Sequence, residues 1–97
     1  MAPVSYAPRA LAGLERLCDF LAETEPHAAS QTIDLILDAV AILERHPLMG
    51  RPAEADLREL VISRGKTGYI ALYRYDGVRD RVLVLAIRHQ REAGYIG

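Results

Sequence analysis

Four side chains near the end of the chain are of the types needed for acid–base and phosphate chemistry: Arg88, His89, Arg91 and Tyr95. Cleaving RNA through its own 2′-hydroxyl needs a base, an acid and cations that hold the pentacovalent phosphate. Histidine, tyrosine and arginine can supply these roles. A lone histidine at a strand end is more often structural, and Tyr95 is equally suited to anchoring the C-terminus by packing. The residue types therefore leave catalysis and structure both open.

A wider cationic binding surface is predicted around this cluster, made up of Arg64, Lys66, Arg74, Arg88, His89 and Arg91. Residues 57–97 carry eight Lys and Arg against four Asp and Glu, whereas residues 1–56 carry four against nine. Because the arginine fork grips carboxylates and phosphates at two points, the cationic half is suited to an acidic peptide or a phosphate. The alternatives are a solvated basic face and, for Arg74, cross-strand pairing with one of three acids: Glu59, Asp76 or Asp80.

Composition excludes several other classes of site. The single cysteine, Cys18, rules out an intrachain disulfide and a thiolate cluster, and the three histidines stand far apart in sequence, so no metal site and no cofactor is expected. No phosphate-binding glycine loop is present. No apolar run approaches the roughly 20 residues of a membrane span, so we expect a cytoplasmic protein of one domain, residues 1–97.

The pattern of apolar residues predicts two helices between short strands. A strand over residues 3–6 precedes a helix that Pro8 opens, with leucines at helical spacing and polar residues such as Arg16 between them. Pro26 ends it, and a second helix follows from residue 26 or 27. Gly50 and the flanking Pro47 and Pro52 forbid regular structure over residues 48–52. Alternation then predicts strands over residues 57–63, 69–76 and 81–89. The order β-α-α-β-β-β is an α+β fold, a helical hairpin on a small antiparallel sheet.

Both faces of that sheet are predicted to be apolar. On residues 69–75, tyrosines and Ala71 alternate with Ile70 and Leu72, and the last strand is apolar on both sides. An antiparallel sheet with one face in water normally alternates apolar and polar residues, yet one helix pair covers only one face. A few hundred Å² of uncovered apolar surface is worth on the order of several kcal/mol to whatever covers it. We therefore expect a protein partner.

The chain resembles the RelE/ParE toxins of bacterial type II toxin–antitoxin modules over nearly its whole length. The resemblance rests on V-x-Y-x-P-x-A (Val4 to Ala10), H-P-L-M-G-R-P (His46 to Pro52), L-R-E-L (Leu57 to Leu60), G-Y-I-A-L-Y-R-Y (Gly68 to Tyr75) and the closing V-L-V-L-A-I-R-H-Q-R-E-A-G-Y. It implies a helical hairpin against a small antiparallel sheet, as derived above. It also implies a role such as plasmid stabilization.

The resemblance offers two activities. In the ribosome-dependent ribonucleases of this family, two lysines stand two residues apart on the strand after the helices. An arginine follows the Gly-Tyr that opens the next strand. The matching positions here are Val61, Ser63 and Ile70. The sequence thus favours the ParE-like branch, which implies inhibition of DNA gyrase without catalysis by the toxin. The alternatives are a RelE-type mRNA endonuclease using the terminal cluster, and an inactive toxin that still binds its antitoxin.

The resemblance also implies a partner. A cognate antitoxin, small and acidic with a DNA-binding N-terminal part, is expected to wrap the toxin in a hetero-oligomer, cover the second sheet face and contact the cationic half. The residues expected to contact it lie on the first helix and the last two strands: Leu14, Leu17, Leu21, Tyr73, Tyr75, Val82 and Val84.

Overall fold

The computed structural model describes residues 1–64 and 67–91, apart from the side chain of Arg64. The elements in chain order are β1 (Val4–Tyr6), α1 (Pro8–Thr24), α2 (Ala29–Ala41), a 3₁₀ turn (Ile42–Glu44), β2 (Arg51–Pro52), β3 (Leu57–Arg64), β4 (Thr67–Asp76) and β5 (Arg81–His89). The helices form one layer and the strands form one sheet, which confirms the predicted α+β architecture. No helix in the described part is both long and apolar enough to span a membrane.

Helix α1 packs closely on the sheet through one narrow stripe. Ala10, Gly13, Leu17 and Leu21 are its buried residues, at the three- and four-residue spacing that places side chains on one helix face. Gly13 lies so close to β5 that a Cβ atom there would stand 2.5 Å from the Ile87 carbonyl oxygen. The helix begins at Pro8 and ends at Thr24, two residues before Pro26, as predicted. Helix α2 begins at Ala29, later than predicted, and buries Thr32, Ile36 and Val40.

The sheet has the strand order β1-β5-β4-β3-β2. It is a mixed sheet, whereas the sequence predicts a wholly antiparallel one. Strand β1 runs parallel to β5, with Val4 opposite Val82, while the other three pairs are antiparallel. Strand β2 was expected to be irregular because of its prolines. It nevertheless forms a two-residue edge strand, where Pro52 is tolerated because an edge strand needs partners on one side only.

A bulge in β5 decides which side chains reach the core. Leu72 stands opposite Ala86 and Tyr73 opposite Val84, so Leu85 is an extra residue on β5. After the bulge the alternation is reversed, and Ile87 joins Val82 and Val84 in the core.

We call the side of the sheet that packs on the helices the helix-side face, and the opposite side the open face.

Candidate functional site

The predicted cationic cluster at the end of β5 is divided between the two faces of the sheet. His89 stands opposite Tyr69 on the helix-side face, and their rings meet edge to face with centroids 5.3 Å apart. Arg88 stands opposite Ile70 on the open face. Its Nη1 donates to the carbonyl oxygens of His89 and Gln90, both at 3.2 Å. Arg88 therefore binds the backbone that follows its own strand.

His89 faces a groove between the second half of α1 and the end of the sheet, with a volume of about 520 Å³. Two of the residues that line it are apolar, and the others are polar or charged, with one acid among them: Leu17, Phe20, Arg16, Thr24, Glu25, Thr67, His89 and Arg91. Phe20 is 55% exposed, a large fraction for an aromatic residue. Arg16 lines this groove only because α1 crosses this end of the sheet. The helical pattern gave it no signal beyond a solvent-facing position.

A backbone contact selects one tautomer of the neutral His89 ring. The Arg91 N–H donates to His89 Nδ1 at 3.0 Å, so Nδ1 must present a lone pair. In the neutral ring the proton is then on Nε2, which leaves no free nitrogen to accept one. The imidazole can donate a hydrogen bond into the groove but is poorly arranged to act as a base there.

Arg74 does not join the cluster. It lies on the open face five residues along β4 from Tyr69, about 17 Å at the usual rise of about 3.4 Å per residue. Its Nε stands 3.3 Å from Asp56 Oδ2, so the acid that it meets is not one of the three predicted. The side chain of Arg64 and the residues Lys66 and Tyr95 lie outside the described part of the chain. The backbone of Arg64 pairs with Thr67, at the rim of the groove.

Most of the residues predicted to bind an antitoxin belong to the core between helices and sheet. Leu17, Leu21, Tyr73, Val82 and Val84 are each at most 2% exposed. Leu14 and Tyr75 are partly buried and pack against that core. Burial gives the five a packing role in the folded toxin, because side chains without accessible surface offer nothing to a docking partner. A docking surface for the antitoxin must therefore be formed by other, exposed residues.

The open face supplies such a surface. Val61 is 41% and Leu83 37% exposed, and Leu72 is partly buried. Val61, Ile70 and Arg88 stand in one cross-strand row on this face, with Ser63 two residues along β3. Val61, Ser63 and Ile70, the three positions for which the resemblance implies cations in a ribonuclease, are thus neighbours here, and two of them are apolar.

A second group of hydrogen bonds fixes the connection between the 3₁₀ turn and β2. Tyr73 Oη accepts the Gly50 N–H and donates to the Pro47 carbonyl oxygen, each at 2.8 Å. Burial raises the pKa of Tyr73, so the phenol stays protonated and can donate at neutral pH. No group of histidine, cysteine or acidic residues that could hold a metal ion occurs within residues 1–64 and 67–91.

Comparison with known proteins gives a consistent family. Residues 4–94 match the family model described as the ParE toxin of the type II toxin–antitoxin system parDE. The chain is 38% identical over 92 residues to toxin RelE3 of Caulobacter vibrioides, covering 95% of this chain and 98% of that toxin. It is 36% identical to toxin RelE2 of the same organism, covering 92% and 96%.

Solved structures show the same fold. A chain of the chromosomal ParDE system from P. aeruginosa superposes with a TM-score of 0.76 at 24% identity, over 92% of this chain and 96% of that one. A chain of the intact E. coli RelBE toxin–antitoxin complex gives 0.69 at 13% identity, over 95% and 100%. A chain of the RelBE2 complex from Mycobacterium tuberculosis gives 0.58 at 26%, over 92% and 98%.

Proposed function

This chain belongs to the ParE toxin family, within the RelE/ParE toxins of type II toxin–antitoxin systems, and we propose that it inhibits DNA gyrase in the cytoplasm without catalysing a reaction. The similar proteins carry both ParE and RelE names, so the choice of target has to be argued from the site. The observation that carries the choice is the cross-strand row of Val61, Ile70 and Arg88.

An apolar row is a poor place to cleave RNA. Phosphoryl transfer depends on cations placed around the charge that develops on the phosphate, and losing one such group commonly costs about 10² to 10³ in rate. Here Val61 and Ile70 occupy two of those positions, and Arg88 is already hydrogen-bonded to two carbonyl groups. His89 points to the other side of the sheet, with its Nδ1 occupied. These contacts support a non-catalytic toxin.

The groove rim is proposed as the cationic contact with the target. Arg16, His89 and Arg91 line the same groove as the exposed Phe20, beside one acid, Glu25, so the groove combines positive charge with an apolar anchor. Arg64, Lys66 and Arg88, the other target-binding residues predicted from the sequence, remain part of this proposal. Arg74 is assigned instead to its ion pair with Asp56, a surface pair of the kind worth up to about 1 kcal/mol.

Gyrase assays test the function directly. The purified toxin should stabilise broken DNA in a gyrase supercoiling reaction and should leave mRNA uncut in a translating extract. The variant Arg16→Ala with Arg91→Ala should weaken the gyrase effect about tenfold. Arg79→Ala, which removes an exposed arginine in the β4–β5 turn, should leave it unchanged.

Two other outcomes favour the alternatives. Cuts in translated mRNA with no effect on gyrase would establish the endonuclease and overturn the proposal. A toxin that does neither, yet still binds its antitoxin, would be the inactive form. The antitoxin itself is proposed to cover the open face, because the structural neighbours come from toxin–antitoxin complexes and Val61 and Leu83 leave apolar surface there.

A further inference from the structure

The connection formed by residues 46–50 is held rigidly by the sheet. Tyr73 binds it at Pro47 and Gly50, and Arg58 Nη1 donates to the carbonyl oxygens of Gly50 at 2.7 Å and Leu48 at 3.3 Å. A Cβ atom at position 50 would stand 2.6 Å from the Tyr73 ring. Four hydrogen bonds from two strands and one close backbone approach therefore fix the path of five residues.

This rigid connection exposes apolar side chains. Leu48 is 59% and Met49 57% exposed, although the backbone beneath them is buried or bound. Two grooves of about 530 and 510 Å³ flank the connection and share Pro47 and Tyr75, and the second extends to Met1, which is 78% exposed. The apolar side chains of Met1, Pro47 and Met49 thus line two adjoining grooves, the second of which is also lined by Glu44, Arg45 and Asp80.

Rigidity and exposure together suggest what kind of partner fits. Binding a preformed segment costs less conformational entropy than ordering a flexible one, and methionine is enriched where proteins contact each other. Two adjacent side chains that project from the surface require a pocket to receive them. A pocket exists only in a folded protein, whereas a segment that is disordered until it binds contributes its own side chains to grooves.

We propose that residues 46–50 with Met1 dock the toxin into an apolar pocket on its folded target protein. The proposal rests on the proposed function in one respect, that the target is a protein, which we take to be gyrase. Arg45 is exposed beside the connection, whereas Arg51 already pairs with Glu59 at 3.2 Å, so the complementary pocket would carry a carboxylate facing Arg45. This surface lies near Tyr73 and Tyr75, at the opposite end of the sheet from the groove beside His89.

A double variant, Leu48→Glu with Met49→Glu, tests the surface. Both side chains are exposed, so the fold should be retained, and binding to gyrase and growth inhibition in cells should each fall at least about tenfold. The neutral double variant Leu48→Ser with Met49→Ser separates lost apolar contact from added charge and should show a similar loss. Val78→Glu is the matched control, because Val78 is 97% exposed in the β4–β5 turn, and it should behave as wild type.

Each outcome decides the matter. Affinity for the antitoxin should be unchanged in both double variants, and a loss of antitoxin binding with toxicity intact would overturn the proposal. Unchanged toxicity and gyrase binding, or a change only in self-association of the toxin, would overturn it as well, as would a wild-type chain without effect on growth. Toxicity that depends on Leu48 and Met49 while gyrase is unaffected would refute gyrase as the target but support docking to another folded protein.

Discussion

Tyr73 connects the core to the proposed docking surface. Its ring is fully buried among the strands, and its hydroxyl group is the only side-chain partner within the described residues for the Gly50 N–H. A phenol that both accepts and donates a hydrogen bond satisfies two backbone groups of this connection, the Gly50 N–H and the Pro47 carbonyl oxygen. Together with Arg58, this side chain fixes the path of residues 46–50.

Replacing Tyr73 by Phe should cost about 1–3 kcal/mol of unfolding free energy, since the Gly50 N–H and the Pro47 carbonyl group lose their partner while the ring packing is retained. Urea unfolding followed by circular dichroism measures the change. The control is Tyr75→Phe on the same strand, whose hydroxyl donates to Asp80 at an exposed site. That variant should change stability much less, and equal losses in the two variants would contradict the role given to Tyr73.

At the residue scale the sequence predicted chemistry better than geometry. The types of Arg88, His89 and Arg91 correctly indicated a charged strand end, but alternation places neighbouring residues on opposite faces, which divides Arg88 from His89. Arg16 could not be assigned to the groove without knowing where α1 crosses the sheet. The predicted antitoxin residues are apolar or aromatic and lie on the faces where the helices meet the sheet, and five of them are buried in the structure.

Helix α1 depends on a single close approach to the sheet. A glycine in a helix interior is unfavourable by about 1 kcal/mol relative to alanine, so Gly13 needs a compensating contact. The contact is with Ile87, where a Cβ atom would meet a backbone oxygen that cannot move aside as a flexible side chain would. The glycine therefore allows α1 and β5 to approach within reach of their core side chains.

Gly13→Ala should destabilise the protein by about 1–2 kcal/mol, because overpacking at a backbone contact outweighs the better helix propensity of alanine. Thermal unfolding gives the measurement. Gly77→Ala serves as the comparison, since its added Cβ would meet only the Tyr75 ring, at an ordinary 3.6 Å. A stabilised Gly13→Ala protein would show that propensity dominates and that α1 can shift away from β5 without loss.

Among the elements, local signals were sufficient for α1 and for the β4–β5 hairpin. Pro8 and Pro26 bracket α1, and the turn before Arg81 was placed correctly. Strand β1 pairs with β5 in parallel, with Val4 opposite Val82, so the paired residues are nearly eighty positions apart in sequence. No local sequence pattern indicates whether two such distant strands pair, or in which direction. The bulge at Leu85 also escaped prediction, because Leu85, Ala86 and Ile87 are all apolar and the reversed alternation leaves no polar residue out of place.

The whole molecule has one covered sheet face and one that is only partly covered. On the helix-side face the helices bury the aromatic and aliphatic side chains of three strands, while Val61 and Leu83 on the open face keep more than a third of their surface accessible. Exposed apolar side chains on a sheet favour association with a partner. An antitoxin bound to the open face would remove this apolar surface from water. The complex should then be more stable than the toxin alone.

The antitoxin should stabilise the toxin if it binds only the folded state. When the concentration of such a ligand is a hundred times its Kd, the free energy of unfolding rises by about 2.7 kcal/mol. For a chain of this size such a gain raises Tm by about 10 °C or more. The variant Val61→Asp with Leu83→Asp should keep its own Tm within a few degrees but lose most of this rise. Leu11→Asp, at a half-exposed position on the outer side of α1, should keep the rise. If Leu11→Asp abolished the rise and the open-face variant did not, the antitoxin would have to dock on the helix layer, because a charge introduced into a covered apolar contact is costly wherever the contact is made.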